Sequence, residues 1–155
     1  MSVRVQREDF DVGAELAALT AGKTSVGGVT SFLGLVRDFV GVPGAGGEAV
    51  SAMTLEHYPG MTERQLEAIE AEARRRWPLD DVLIVHRYGR LEPGDRIVLV
   101  ATASAHREAA FESCWFLIDW LKTRAPFWKL EATPEGERWV EAKGSDDKAA
   151  ARWEK

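Results

Sequence analysis

The segment from residue 105 to residue 124 constrains the fold most, because its pattern predicts a long helix that is apolar on most of its sides. The helix should end at the Ala125-Pro126 step, since a residue before proline disfavours helical backbone. Its polar stripe is narrow and passes through Glu112 and Asp119. A helix this apolar lies centrally in a core or is covered by another subunit. We therefore expect a self-association surface near it.

Shorter strand and helix patterns fill the rest of the chain. Period-two alternation and β-rich runs predict strands over 2–8, 26–37, 50–58, 82–91 and 96–103, and over the two segments that flank TPEGE (133–137). Helical spacing predicts helices over 11–21 and 62–77, with a further helix in the polar tail. Strands in antiparallel hairpins with helices crossing between them indicate an α+β sandwich.

Three residues are predicted to cap helices. Asp11 precedes the first helix, Thr62 with Gln65 forms a capping box for the second, and Ser104 precedes the long helix. The Gly-rich segment 39–49 interrupts these patterns and is predicted to be a mobile surface loop without packing of its own. It is too short to require a domain boundary, so we expect a single domain over 1–155.

Composition excludes several classes of function. The net charge of -5 argues against general nucleic-acid binding, although it permits a local basic pocket. Cys114 is the only cysteine and lies in an apolar run, which predicts a core residue and excludes a disulfide scaffold. We expect a cytoplasmic protein, because no signal-like N-terminus or membrane-length apolar run is present.

His106 and Arg107 place cationic side chains at the start of the long helix. Cations are mildly unfavourable there because the helix dipole is positive at that end. The same free N–H groups, with an arginine and a histidine, would suit a phosphate. In isolation the alternative is stronger: Glu108 neutralises Arg107, and His106 merely packs.

Lys122 and Lys129 flank the proline break in LKTRAPFWK (121–129). Each has an ordinary structural explanation, Lys122 as a cation at a helix C-terminus and Lys129 as an exposed residue on a strand whose Trp128 and Leu130 face inward. The turn at Pro126 could nevertheless bring both ammonium groups into one pocket, where desolvation would favour acid–base or nucleophilic chemistry.

Several segments together resemble one family. They are FLGLVR (32–37), LEHYPGMTE (55–63), HRYGRLEPGD (86–95), SAHREAAFES (104–113) and DWLKTRAPFWKLEATPEGERWVEA (119–142). In this order, from about residue 26 to the C-terminus, they resemble the large, catalytic subunits of molybdopterin synthase. The segments LKTRAPFWK and LEHYPGMTE are the most specific of them.

The resemblance implies an α/β hammerhead-type fold with an additional antiparallel sheet. It implies a sulfurtransferase that converts cyclic pyranopterin monophosphate (precursor Z) into molybdopterin. The sulfur donor would be the C-terminal glycine thiocarboxylate of a small ubiquitin-like subunit. Large subunits would dimerise within a heterotetramer, and neither a metal nor another cofactor would be required.

The resemblance also implies roles for particular residues. Lys122 would be the prime catalytic residue and Lys129 its companion. Substrate-binding residues would be Leu35, Val36, Arg37, His106, Arg107, Leu130, Glu131 and Lys143. Two of these depart from the family pattern: Leu35 stands where a lysine is common, which leaves a backbone role. Lys143 stands where an arginine is common, which keeps the charge but loses the bidentate fork.

Two other functions remain open on the residues. A metal enzyme could use His57, His86 and His106, although their spacing matches no ligand motif. A non-catalytic adaptor could bind only the tail of the small subunit. A phosphate site would be superfluous in such an adaptor, so the joint presence of Arg37, His106 and Arg107 argues against it.

Overall fold

A computed structural model describes residues 2–40, 47–140 and 144–154. Within these ranges the elements, in chain order, are β1 (Val3–Gln6), α1 (Val12–Thr20), β2 (Gly28–Leu35), β3 (Phe39–Val40), β4 (Glu48–Ala49), β5 (Ala52–His57), α2 (Met61–Arg76), β6 (Asp81–Arg87), β7 (Gly89–Leu91), β8 (Arg96–Ser104), α3 (Arg107–Arg124), β9 (Phe127–Thr133), β10 (Gly136–Val140) and α4 (Gly144–Ala151). The predicted α+β class, the final hairpin and the terminal helix are confirmed.

Two four-stranded sheets organise these elements. The first sheet has the order β1-β6-β8-β2 and the second has the order β10-β9-β5-β7. All pairs are antiparallel except β1 with β6, which run parallel. The sequence predicted only hairpins; the parallel pair differs because its two strands are far apart in the chain and meet through a crossover.

The first sheet is buried on both faces. On one face α2 and α3 pack over β-strand side chains such as Val82, Ile84 and Val100, around the fully buried Phe116. On the other face α1 covers a second cluster that includes Val85. Burial on both faces explains why β8 reads as a continuous apolar run rather than an alternating one. No helix in the described parts of the chain is long and apolar enough to cross a membrane.

The segment predicted as one strand over 82–91 is two strands in two different sheets. β6 pairs with β8 in the first sheet, whereas β7 pairs with β5 in the second. The change occurs at Gly89, whose φ of 92° is open to glycine but strained for other residues. The prediction of a single strand was wrong because the pattern of apolar and polar residues does not show with which neighbouring strand a segment pairs.

One predicted cap is confirmed and two are wrong. The Asp11 side chain accepts a hydrogen bond from the Ala14 backbone N–H at 2.9 Å. Helix α2 instead begins after Gly60, and the Thr62 hydroxyl lies buried inside its first turn. Ser104 is the last residue of β8, and its hydroxyl donates to the Pro78 carbonyl at 2.7 Å. The N-cap of α3 is therefore His106.

The two ends of the Gly-rich segment 39–49 contain paired strands. Phe39–Val40 pairs with Glu48–Ala49 in a short antiparallel ladder, which corrects the expectation of a loop over the whole of 39–49. Residues 41–46 lie outside the described residues. The strand pairing escaped prediction because four residues are too few for a visible alternation.

Candidate active site

A cavity of about 310 Å³ opens where the two sheets meet the C-terminal end of α3. The first sheet, the second sheet, α3 and α4 all contribute to its lining, which consists of Leu55, His86, Ile97, Leu121, Lys122, Ala125, Phe127, Lys129, Val140 and Asp146. Two ammonium groups therefore face a largely apolar wall. Two cationic side chains in one confined cavity favour the binding of an anion.

The proline break delivers both lysines to this cavity. Lys122 lies in the last turn of α3, which is capped by Ala125 in extended conformation. β9 then starts at Phe127, so that Lys129 returns past the helix end. The buried Thr62 hydroxyl donates to the Pro126 carbonyl at 3.1 Å and fixes the break. Sequence and structure thus agree in placing Lys122 and Lys129 together, while their catalytic roles stay predictions.

Lys129 faces inward, contrary to the structural alternative considered from its sequence pattern. The Trp128 side chain is 48% exposed, whereas Lys129 is half-buried and Glu131 is only 5% exposed. The predicted faces of β9 are therefore reversed: Trp128 lies on the exposed face and Lys129 on the inner face. The reason is that the inner face of β9 lines a charged cavity instead of a uniform hydrophobic core.

His86 forms part of the cavity wall on the side of the first sheet. Its ring is 5% exposed and stacks on Phe127, with ring centroids 3.7 Å apart and planes inclined by 16°. Burial lowers the pKa of His86 to about 3, and the positive charges of Lys122 and Lys129 act in the same direction, against a hydrogen bond to the Arg87 carbonyl. His86 is therefore neutral at physiological pH.

The other substrate-binding residues that were predicted in and after β2 and on β9 are not among the described residues that line the cavity. Val36 is buried in an apolar cluster with Leu55, which itself lines the cavity. Leu35 and Arg37 on either side of Val36 are exposed and are outside the cavity lining given by the described residues. Leu130 pairs with Trp139 of β10. Lys143 lies outside the described residues.

His106 and Arg107 are not close to the two lysines of the same chain. Both are exposed at the beginning of α3, whereas Lys122 lies in its last turn. Fifteen residues separate Arg107 from Lys122 along one helix, which corresponds to about 22 Å at the usual rise per residue. One copy of the chain therefore does not unite the two halves of the predicted anion pocket.

The remaining histidines and the cysteine, all within the described part of the chain, form no metal centre there. Cys114 is a core residue, as predicted, and burial raises the pKa of its thiol to about 12. No cluster of three His, Cys, Asp or Glu side chains suited to a metal ion occurs within the residues that the structure describes. His57 and His86 both approach Phe127, but His106 lies at the start of α3.

Of the polar residues of the cavity, sequence reasoning missed Asp146 and considered His86 only as a ligand in the metal-enzyme alternative. His86 carried a usable signal, because it ends the apolar run VLIVH of a buried strand and a polar group there needs a purpose. Asp146 carried none, since α4 reaches the cavity only by docking on α3. That docking includes hydrogen bonds from Trp120 Nε1 to the Ala150 carbonyl and from Trp153 Nε1 to Asp119 Oδ2.

A family model described as MoaE protein matches residues 5–124. The chain belongs to the MoaE family. A relative from Pseudomonas aeruginosa, a molybdopterin synthase catalytic subunit, is 57% identical over 154 residues, which are 99% of each chain. The motifs in the sequence thus identified the correct family.

Solved structures of other MoaE proteins share this fold. A molybdopterin biosynthesis MoaE protein from Burkholderia ambifaria superposes with a TM-score of 0.83 at 56% identity, covering 99% of this chain and 98% of its own. A complex of subunits 1 and 2 of a molybdopterin-converting factor from Helicobacter pylori has a TM-score of 0.70 at 18% identity, with 93% and 92% covered. At that identity the second likeness concerns the fold alone.

Proposed function

We propose that this protein is the catalytic subunit of a molybdopterin synthase, and that Lys122 and Lys129 perform sulfur transfer in the cavity between the sheets. The observation that carries this proposal is the meeting of the two lysines in one partly enclosed cavity of a MoaE-family chain. The substrate would be precursor Z, and the sulfur would arrive as a thiocarboxylate on the C-terminus of a small ubiquitin-like subunit.

The chemistry of the cavity suits these ligands. A thiocarboxylate and a pterin phosphate both bring negative charge to a confined space, and the two ammonium groups can stabilise it. Protons must move as the thiocarboxylate sulfur attacks the pterin and as water then cleaves the resulting acyl–sulfur bond, which leaves the sulfur on the pterin and releases the carrier as its carboxylate. A partly desolvated lysine within hydrogen-bond reach can donate or accept them.

Two copies of the chain would complete the site. Exposed apolar side chains of β2 and α3 would form a self-association surface, which we define by Phe32, Phe111 and Trp115, between 41% and 61% exposed. β2 is also an edge strand of the first sheet. A twofold axis through this surface would set two α3 helices antiparallel, so that His106 and Arg107 of one copy approach Lys122 of the other.

The small subunit would bind at the open mouth of the cavity, with its tail reaching the lysines. The two-subunit complex from Helicobacter pylori supports such an assembly for this fold. Together with a dimer of large subunits it gives the expected heterotetramer. We propose a cytoplasmic location, and we propose no metal or other cofactor.

Reconstitution tests the proposal. The protein is incubated with thiocarboxylated carrier and precursor Z, and molybdopterin is assayed. Lys122→Ala should lower turnover at least about 100-fold, the usual scale for loss of a positioned acid or base. Lys148→Ala, which changes an exposed lysine on α4, is the matched control and should retain activity. Full turnover by Lys122→Ala would refute the catalytic assignment.

A further inference from the structure

Besides the Asp146 carboxylate, the described lining of the cavity contains one hydrogen-bonding group that the sulfur-transfer proposal does not use, the imidazole of His86. It lies near the end of β6, opposite Val98 of β8, and its ring lines the same cavity as Lys122 and Lys129. A polar ring buried to this extent between two sheets needs a partner for each of its nitrogens. The two nitrogens therefore have to be considered separately.

The tautomer of His86 follows from its backbone contact. Nδ1 lies 2.8 Å from the Arg87 carbonyl oxygen. A carbonyl oxygen can only accept, so Nδ1 must carry the proton and donate it. In the neutral ring, Nε2 then bears a lone pair and can only accept. Since Nδ1 is turned toward the backbone, Nε2 is the polar atom left for the cavity.

The orientation of this acceptor is fixed. The stacked Phe127 ring restrains the plane of the imidazole, and the Nδ1 hydrogen bond restrains its rotation within that plane. Phe127 itself follows the proline break that positions Lys129. Beside the two lysines and the Asp146 carboxylate, the cavity therefore presents a neutral acceptor whose orientation is fixed, which reduces the entropic loss on binding.

We propose that His86 Nε2 is a ligand-binding acceptor that selects a chain end carrying a peptide N–H next to its terminal anion. A C-terminal carboxylate or thiocarboxylate has this combination, because its own residue contributes an N–H one carbon away. The lysines would hold the anion, and His86 would hold the N–H. This inference rests on the proposed function and assigns to His86 the last peptide unit of the carrier tail.

A double-mutant cycle on carrier binding tests the assignment. The ligands are the carrier with its native C-terminal glycine and a semisynthetic carrier with N-methylglycine there, both with a plain carboxylate, and calorimetry gives Kd. His86→Phe keeps a stacking ring but removes the acceptor, and should raise Kd for the native carrier about five- to tenfold, as for one lost hydrogen bond. His86→Gln can place an amide oxygen near the position of Nε2 and should restore most of the affinity.

The carrier with N-methylglycine shows whether His86 binds the peptide N–H of the tail or only supports the structure of the cavity. It should weaken binding to the wild-type protein about as much as His86→Phe does, and should weaken binding to His86→Phe little further. Equal losses in both proteins would overturn the assignment. A change confined to the KM for precursor Z, with carrier Kd unaltered, would also overturn it, because the N–H would then belong to the pterin.

A measurement on the wild-type protein covers the case in which His86→Phe does not fold. The chain has only three histidines, so 15N-histidine labelling gives a spectrum that variants of His57 and His106 can assign. The Nε2 resonance of His86 should move upfield when the native carrier is added and should stay unchanged with the N-methylated carrier. No movement with the native carrier would overturn the inference. Failure of the sulfur-transfer proposal is distinguished separately, by absence of molybdopterin in the reconstitution.

Discussion

A single buried ring links stability to the chemistry of the cavity. His86 is held neutral in the folded protein because burial and nearby positive charges oppose its protonation. Those charges come from Lys122 on α3, Lys129 on β9 and His57 on β5, while Asp146 on α4 contributes a carboxylate to the described lining of the cavity. Neutrality keeps His86 an acceptor over the whole physiological range.

This neutrality predicts a pH-dependent stability. The pKa of His86 falls from an ordinary 6.5 to about 3 on folding, so below pH 6.5 the unfolded chain binds a proton that the folded protein excludes. The contribution of His86 to the free energy of unfolding is complete above pH 6.5. It declines by up to about 1.4 kcal/mol per pH unit as the pH falls toward 3.

Urea unfolding between pH 7 and pH 4 measures this decline. The wild-type curve should be steeper than that of His86→Gln, which has no titrating group at this position. Carboxyl groups with a lowered pKa, such as Asp9 beside Arg96 and Glu72 beside Arg75 and Arg76, add the same slope to both proteins. Parallel curves would show that His86 is not kept neutral by the fold.

The α4 helix depends on an aromatic anchor. The Trp153 indole packs against Trp77 and Phe116, with centroids 5.6 Å and 5.8 Å away, and donates to the Asp119 carboxylate at 2.7 Å. Asp119 is 7% exposed, so loss of that donor leaves a buried charge with weaker solvation. The anchor therefore holds both the helix and one wall of the cavity.

Trp153→Ala should lower the free energy of unfolding by about 2–4 kcal/mol, because it removes a partly buried aromatic side chain and a hydrogen bond. Thermal and chemical denaturation measure the change. Trp139→Ala is the matched control, since Trp139 is 55% exposed on β10, and it should shift stability by about 0.5 kcal/mol or less. Equal effects of the two substitutions would contradict the anchoring role.

Local sequence patterns predicted the helices and strands, but they could not predict which elements pack or pair with one another. The spacing of Leu66, Ile69 and Ala73 identified α2, because helical periodicity is contained in neighbouring residues. The change of sheet at Gly89 and the inward direction of Lys129 depend on strands that are distant in sequence. The caps at Thr62 and Ser104 failed for a related reason: each hydroxyl satisfies a distant carbonyl instead of its own helix.

The site shows the same division. Motif resemblance identified Lys122 and Lys129, and the proline between them explains why they meet. It also identified His106 and Arg107 as part of the same pocket, but these two residues lie far from Lys122 within one copy of the chain. A resemblance between sequences identifies which residues form a site, but it does not show which copy of the chain contributes each of them.

At the scale of the whole molecule, the self-association surface predicts a dimer. Phe111→Asp places a charge on a side chain that is 61% exposed in one chain and should split the dimer into monomers, since burying that charge is costly. Sedimentation or light scattering measures the molecular mass. Trp139→Asp, on the exposed face of β10, is the control and should leave the mass unchanged. A Phe111→Asp protein that remains dimeric would place the interface elsewhere.

Subunit mixing tests whether a site is shared between copies. Lys122→Ala and Arg107→Ala proteins should each have little activity as homodimers. After mixing and exchange, mixed dimers would contain one doubly defective site and one intact site. Activity should then rise to about a quarter of the wild-type value, from random pairing of equal amounts. No recovery in verified mixed dimers would mean that each copy builds its site alone.

The chain that changes sheets at Gly89 also joins the two layers on either side of the cavity. His86 lies just before the change and Leu91 just after it, so one short backbone segment belongs to both ladders. A ligand bound between the two sheets would therefore restrict their motion relative to each other at this segment. Ligand binding in the cavity should therefore slow amide hydrogen exchange in β6 and β7 together. Exchange in α1, on the far side of the first sheet, should not change.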